Sequence, residues 1–492
     1  MPDKSLRRFF RLKRSSQSCR FSHRINYPIP QKPALRFKQS LKFSCLLALL
    51  QAPELAMKIA YLTAGAAGMI CGSCLNDNAL AKSFIRQGHD CILIPAYTPI
   101  RTDDEDVSID QVFMGGINVY LQQKMPWLAY MPKWLDGVLN QSWIINPFTK
   151  NAGKTSPALL GALTISMLQG SQGRQRKEFR RLLDWLSRDI QPDVMVFTNL
   201  LVGGGIPEVK RLGTTRVFVT LQGDDIFLDS LPAKFRMRAI ELMQGLIPFI
   251  DGFLIHSKDY ADRMASLLQI PASKIHIVPL GIDVTDFRNL VRAKTEPESF
   301  TIGYLARMAP EKGLHRLVDA FISIAAKPEA KHAKLKFAGW MGPQHTEFWN
   351  EQKIKLDRAG LGDRWEYLGS INRDEKAKFL NSIDLFCVPT TYAEPKGLFL
   401  LEAIAVGTPY IQPDHGAFPE LHRRMHAISE GRRLGSLFRA DSLDDLSINL
   451  LEGIQANVKL ESASDTMLEE IDIAKHAQRV LDVLQLAGRK EL

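Results

Sequence analysis

From Met57 almost to the end of the chain, short apolar, often β-branched runs alternate with longer helix-like stretches. No other feature constrains the fold as strongly, because strands buried on both faces of a parallel sheet read as near-continuous apolar runs separated by covering helices. KIAYLT, DCILIPAY, INVYLQ, VMVFTN, RVFVTLQG, GFLIHS and IHIVPLG form a first set of strands. After Gly281 the charged stretch RNLVRAKTEPES interrupts the pattern as an interdomain linker would. FTIGYLAR, LKFAGW, WEYLGS, LFCVPT and PYIQPD form a second set, separated by helix-like segments such as KAKFLNS. The pattern predicts an α/β chain of two tandem Rossmann-like, doubly wound domains facing across a cleft, where open sheets bind ligands.

The expected boundaries are 57–285 for the first domain, with an insertion at about 98–193, 286–460 for the second, and a helical segment at 461–492. Whether that last segment packs back across the first domain is not readable from sequence. The insertion carries MPWLAYMPKWLDGVLNQSWII, then PALLGALTISMLQG and the basic RQRKEFRRLLDWLSR. Aromatics beside Lys and Arg suit a membrane-surface face or an acceptor groove, although such a stripe more often packs against its own domain.

At 492 residues, two or more domains are expected, and 45% hydrophobic against 24% charged residues excludes wholesale disorder. The net charge of +10 is local. Residues 1–56 hold 12 of the 63 Lys and Arg but only Asp3 and Glu54 of the 53 acids, leaving 51 of each sign in the remainder. A neutral body gives no long-range attraction to nucleic acid or anionic lipid, so nucleic acid is not an expected partner. The extension itself reads as a disordered arm or as sequence upstream of a start at Met57. Its apolar stretch FSCLLALL is too short to span a bilayer, which takes ~20 residues, and QAPELAM fits a signal-cleavage site poorly. A cleaved targeting signal is the rival reading. Six scattered cysteines (Cys19, Cys45, Cys71, Cys74, Cys91 and Cys387) make no disulfide framework, so a reducing, cytoplasmic setting is expected. Peripheral contact at the inner face of the membrane remains open. CGSC, at Cys71 and Cys74, reads as small residues in a tight loop rather than as a thiol centre, since no second ligand pair at zinc spacing accompanies it.

EPKGLFLLEAIAVGTP, from Glu394 to Pro409, is the most informative segment. Between Leu398 and Val406 every residue except Glu402 is apolar, and a buried carboxylate without a donor is costly. Two adjacent ribose hydroxyls would suit its two oxygens. Gly397 before the helix, and Gly407 with Pro409 after it, place a helix N-terminus at a strand edge, able to face an anion. Glu394 lies on the loop at that opening. In ARMAPEKGL, Arg307 closes a strand and Lys312 follows five residues later, two cations suited to a departing diphosphate.

Together, Arg307, Lys312, Glu394 and Glu402 resemble the donor site of the retaining glycosyltransferases of family 4, whose fold is GT-B. The resemblance runs from about Met57 to Arg439. It includes the glutamate pair with seven residues between, the A-V-G-T-P helix exit, VPLGID from Val278 to Asp283, HGAFPEL from His415 to Leu421, and LAKSFIRQGHDCILI in the opening βα unit. It implies that Glu402 binds the donor ribose, Glu394 contacts the transferred sugar, and Arg307 with Lys312 hold the diphosphate. Gly397 and Leu398 open the donor-binding helix. Gly416 and Ala417 would approach the donor through backbone amides, with Glu420 supporting that loop. Gly65 and Gly68 of TAGAAGMICG would let the first domain's loop approach phosphate or acceptor.

The sequence departs from the family pattern at one position, where Gln222 in VTLQGDD stands in place of a frequent histidine. Glutamine hydrogen-bonds a sugar but does not titrate near neutral pH. His256 in LIHSKDY is the substitute to consider, with a structural role the more ordinary reading. Asp224, beside Asp225, would meet an acceptor or cap a helix rather than bind metal.

The implied reaction transfers a sugar from a nucleoside diphosphate sugar to an acceptor hydroxyl, on a glycan, a lipid-linked carrier or a small molecule, with retention of anomeric configuration. No cofactor or metal is expected. The alternative is a nucleotide-sugar epimerase or hydrolase on the same fold. A dinucleotide oxidoreductase fails, because Gly65, Gly68 and Gly72 do not give GxGxxG and no acid ends the second strand near Tyr97.

Overall fold

The computed structural model describes residues 56–65, 72–100, 102, 105–110, 112–114, 156–288, 290, 299–458 and 463–486. INVYLQ, the aromatic stretch of the insertion, Cys71 and Gly68 lie outside the described residues.

Among the described residues, twelve strands form two six-stranded sheets, parallel throughout. In the first, β1 (Lys58–Thr63), β2 (Asp90–Pro95), β3 (Val194–Phe197), β4 (Arg216–Leu221), β5 (Gly252–Ile255) and β6 (Ile275–Ile277) lie in the order β2-β1-β3-β4-β5-β6. In the second, β7 (Phe300–Leu305), β8 (Ala333–Ala338), β9 (Trp365–Tyr367), β10 (Leu385–Cys387), β11 (Tyr410–Pro413) and β12 (Gly435–Phe438) lie in the order β12-β11-β10-β7-β8-β9. Central strands such as VMVF of β3 and LFC of β10 are buried along their whole length, as helices on both sheet faces require. Only β12 escaped the sequence reading. It is an edge strand, buried only at Phe438, and its GSLF lacks a continuous apolar run.

The strand order reverses between β1 and β3 in the first sheet and between β7 and β10 in the second. Crevices at the carboxyl ends of strands open at such reversals. Each reversal carries one wall of the site described below.

The C-terminal segment does pack back onto the first domain. The helix Ile473–Leu486 buries Ala477, Val480, Leu481 and Leu484 in the same core as Met57, Ile59 and Cys91. Main-chain bonds tie it to the interdomain passage, with Ile282 N donating to Ile471 O and Ile473 N to Ile282 O, both at 2.8 Å. Cys74, Cys91 and Cys387 are buried and form no disulfide, and Cys74 sits on the helix Gly72–Arg86 rather than in a loop. Burial pushes the Cys91 thiol up to about 12, with Asp90 adding to it.

Candidate active site

Strand β7 delivers Arg307 to its carboxyl end, where the Tyr304 hydroxyl donates to the Arg307 carbonyl at 3.0 Å. The chain then turns through Pro310–Lys312 to Gly313, whose φ is +74°. A β-carbon there would stand 1.7 Å from the Pro389 carbonyl oxygen, so glycine lets the Lys312 turn lie directly on the loop after β10. As a result Lys312 Nζ reaches Glu394 Oε2 at 2.8 Å and also meets the Tyr392 hydroxyl, which donates to the same carboxylate oxygen at 2.6 Å. Burial alone would push the Glu394 carboxyl up. The Lys312 ammonium, the Tyr392 hydroxyl and the charge of Lys396 outweigh it and hold the group down at about 2. Arg307 is more open, with Nη2 donating to Glu311 Oε1 at 3.0 Å and 41% of its side chain exposed. It can turn to a ligand at small cost.

Glu402 stands on the helix Leu398–Val406, which starts at Gly397 (φ +72°) and ends at Gly407 (φ +80°). The apolar residues of LFLLEAIAV pack between sheet and neighbouring helix, and the carboxylate is itself 8% exposed. Its partner is an ammonium: Lys376 Nζ donates to Glu402 Oε1 at 2.7 Å. The donor that burial requires is thus met at one oxygen by a lysine, beyond the ribose hydroxyls that the sequence suggests. Lys376 comes from the helix Arg373–Ser382, whose start is set by an Asn372–Glu375 capping box, and the charge lies 26 residues before its partner.

The first domain builds the facing wall around Asp77, which is wholly buried on the helix Gly72–Arg86. Its carboxylate accepts from Thr198 Oγ1 (2.5 Å), Thr63 Oγ1 (2.7 Å) and the Tyr61 hydroxyl (3.1 Å), groups at or near the ends of β1 and β3. Burial raises its pKa, against those bonds and the charge of Lys396. Gln222, past the end of β4, donates through Nε2 to Thr198 Oγ1 (2.8 Å) and Thr198 O (3.0 Å), leaving Oε1 toward the cleft. Lys396 crosses from the second domain to meet it: Nζ donates to Gln222 Oε1 and to Ser73 Oγ, each at 2.9 Å. Asp77, Lys376, Tyr392 and Lys396 were not singled out from sequence, although a lone lysine beside a glycine in EPKG was a visible signal.

The two walls enclose a cleft of about 660 Å³. Arg307, Lys312, Glu394, Leu398 and Glu402 line it from the second domain and Gln222 from the first, so the fold brings these six together. Trp340, Ser370 and Ile371, past the ends of β8 and β9, also line the second-domain side.

Other expected residues serve elsewhere. Gly65 has φ +79°, and a β-carbon there would come within 2.3 Å of the Thr98 carbonyl, so local packing by itself requires glycine. Gly416 (φ +62°) lies against the Glu394 backbone, and the Ala417 amide, expected to face the donor, is spent on Glu394 O at 2.8 Å. Glu420 reaches the first domain, accepting from Lys258 N at 2.7 Å. Asp224 accepts from Leu200 N (2.8 Å) and Gln222 N (3.3 Å), fixing backbone behind the wall, and burial pushes it up to about 7. His256 does not line the cleft: Nδ1 meets Val278 O at 3.0 Å and the ring packs on His476. Burial, with the nearby His476 and Lys396, lowers it to about 3, so at neutral pH it is a neutral structural histidine.

Residues 287–429 match the family model for glycosyl transferases group 1. Sucrose-phosphate synthase from Thermosynechococcus elongatus superposes with a TM-score of 0.59 at 14% identity, over 87% of this chain and 98% of that one. HepE of Anabaena, solved in complex with UDP, superposes at 0.55 with 16% identity, over 87% and 100%. The fold is GT-B. In sequence, mannosylfructose-phosphate synthase of Agrobacterium fabrum is 30% identical over 188 residues, 36% of this chain and 39% of the synthase. A GDP-mannose-dependent alpha-(1-6)-phosphatidylinositol monomannoside mannosyltransferase of Mycobacterium tuberculosis is 27% identical over 259 residues, 49% of this chain and 63% of that enzyme. The chain thus matches less than two thirds of either relative's length.

Proposed function

We propose that this protein is a retaining glycosyltransferase that moves a sugar, a hexose in the first instance, from a nucleoside diphosphate sugar to an acceptor hydroxyl. The observation that carries the reading is the single cleft in which Arg307 and Lys312 stand beside Glu394, with Glu402 on the same wall. On this reading the ribose hydroxyls bond the Glu402 carboxylate, whose Oε1 already takes the Lys376 ammonium. Arg307 turns from Glu311 to the diphosphate, and Lys312, with three donors, adds a phosphate oxygen to its bonds with Glu394 and Tyr392. Both cations then stabilise the charge that grows as the nucleoside diphosphate leaves. Glu394 receives sugar hydroxyls as an ionised acceptor. The departing phosphate takes the acceptor proton on the face it leaves, which gives retention, and the closed cleft keeps water out.

Gln222 meets the sugar or acceptor by hydrogen bonding alone, without titrating. Metal is not required in this scheme, so chelator leaves the rate unchanged. The relatives named above include enzymes of phosphorylated sugars and of a lipid-linked acceptor, which makes both acceptor classes the first to try. No helix among the described residues is long and apolar enough to cross a membrane. The test is an array of nucleoside diphosphate sugars against sugar-phosphate, glycan and lipid-linked acceptors, read by mass spectrometry. Glu402→Ala should lower donor affinity about 100-fold, the loss of two hydrogen bonds to a charged group at about 1.5 kcal/mol each. Near-normal transfer in that variant removes the assignment, and donor turnover without acceptor would mark a hydrolase or epimerase instead.

A further inference from the structure

The loop that carries Glu394 is gripped by the opposite domain. The carbonyls on either side of Glu394 both accept from first-domain side chains: Arg263 Nη2 donates to Ala393 O at 2.9 Å and Ser257 Oγ to Pro395 O at 3.1 Å. One residue further on, Lys396 bonds Ser73 and Gln222. Glu394's own carbonyl is held within the second domain by Ala417 N. Three consecutive carbonyls, 393 to 395, are therefore fixed, and the outer two only while the domains are together.

Arg263 is built for this contact. Its Nη1 donates to Asp225 Oδ2 at 2.8 Å and its Nε to Asp259 Oδ2 at 3.0 Å, while the guanidinium carbon lies over the Tyr260 ring, 5.1 Å from its centroid. Two carboxylates and a ring orient the fork so that the remaining nitrogen meets Ala393 O. A lysine could not satisfy all of these acceptors in plane.

We infer that Arg263 is a positioning residue through which the first domain sets the Glu394 carboxylate against the transferred sugar, so that closing the cleft completes the sugar subsite. The inference rests on the transfer reading above and deepens it. The nucleotide end of the donor site, at Glu402 and Arg307, belongs to the second domain and does not depend on this grip. The two ends should respond differently to the same substitution.

The experiment compares the full chain with Arg263→Ala, Arg263→Lys and Lys396→Met, using the donor and acceptor that the array identifies. Arg263→Ala should lower kcat at least about tenfold, as small misplacements at a reacting centre do. Affinity for the nucleoside diphosphate alone, by calorimetry, should stay within about twofold. Arg263→Lys, which keeps the charge on a single nitrogen, should recover part of kcat, and Lys396→Met, which releases the loop at another point, should lower kcat independently. Arg236→Ala, breaking the Asp229 ion pair on the same domain's surface, is the control and should change neither quantity. Unchanged kcat in Arg263→Ala overturns the inference, as does a parallel loss of kcat and nucleotide affinity, which would mean general loosening. A full chain that binds nucleoside diphosphate yet transfers no sugar defeats the transfer reading first, and this inference with it.

Discussion

Replacing Glu394 by glutamine tests the electrostatics of the site through stability as well as activity. The carboxyl is 5% exposed and held at about 2, against an ordinary 4.5, by Lys312, Tyr392 and Lys396 acting against burial. A depression of about 2.5 units corresponds to about 3 kcal/mol favouring the ionised folded form, at about 1.4 kcal/mol per unit. Because the folded pKa is lowered, this stability is fully present above the unfolded value and is lost as pH falls through about 2. Glutamine keeps the shape and one acceptor but not the charge. Urea unfolding at pH 7 should therefore show the variant less stable by about 3 kcal/mol, and at pH 3 the gap should shrink to about half that. The same variant should lose transfer activity while binding nucleoside diphosphate at least as tightly, since Lys312 is released toward phosphate. A stability gap that does not change between pH 7 and pH 3 would refute the reasoning, because a merely steric or packing loss carries no pH dependence.

Two further substitutions probe the surroundings. His256 and His476 are held neutral, burial being the first cause in both, at about 3 and about 4. The unfolded chain therefore binds more protons below pH 6.5 and stability falls with pH, at pH 5 by about 2 kcal/mol for each histidine. His476→Gln should flatten that slope between pH 6.5 and 5, measured by urea midpoints; Asp224, which gains stability in the opposite direction as pH falls from about 7, is common to both proteins and cancels. Gly313→Ala forces a β-carbon onto Pro389 O at positive φ and should cost at least about 2 kcal/mol in thermal unfolding while displacing Lys312. An unshifted melting temperature would show that the turn has slack.

How much was legible in advance depended on whether a residue's environment is set nearby in the chain. β3 could be read because burial on both faces leaves only apolar positions, and β12 could not because an edge strand needs none. Glu394 and Glu402 were legible as a pair, since an apolar nine-residue helix with glycine at both ends announces burial and a cleft-facing start. Their partners were not. Lys376 lies in KAKFLNS, which looks like any solvated helix, and only the packing of two helices brings it to Glu402. Asp77 sits in Asn-Asp-Asn, which reads as a polar turn, yet the helix Gly72–Arg86 is pressed between the first sheet and the C-terminal helix, so even polar positions are buried. Gln222 and Lys396 are 174 residues apart, and their bond exists only because two strand reversals face each other. For His256 and Asp224 the residue type suggested chemistry, and burial against main-chain groups settled a structural use.

The cations of the cleft each stand against an acceptor: Arg307 on Glu311, Lys312 on Glu394, Lys376 on Glu402, Lys396 on Gln222 and Ser73. Buried ammonium groups without such partners would be costly, so pairing is how the fold keeps positive charge in place before a ligand arrives. A body with as many acids as bases gives no distant pull on an anion, so on the proposed reading the attraction is local, made as Arg307 exchanges Glu311 for phosphate and Lys312 shares its donors between Glu394 and phosphate. That exchange links the two halves of the donor. On that reading, as Lys312 shares its donors with a phosphate oxygen its hold on Glu394 weakens, and the carboxylate would be freed for the sugar hydroxyls as the diphosphate seats.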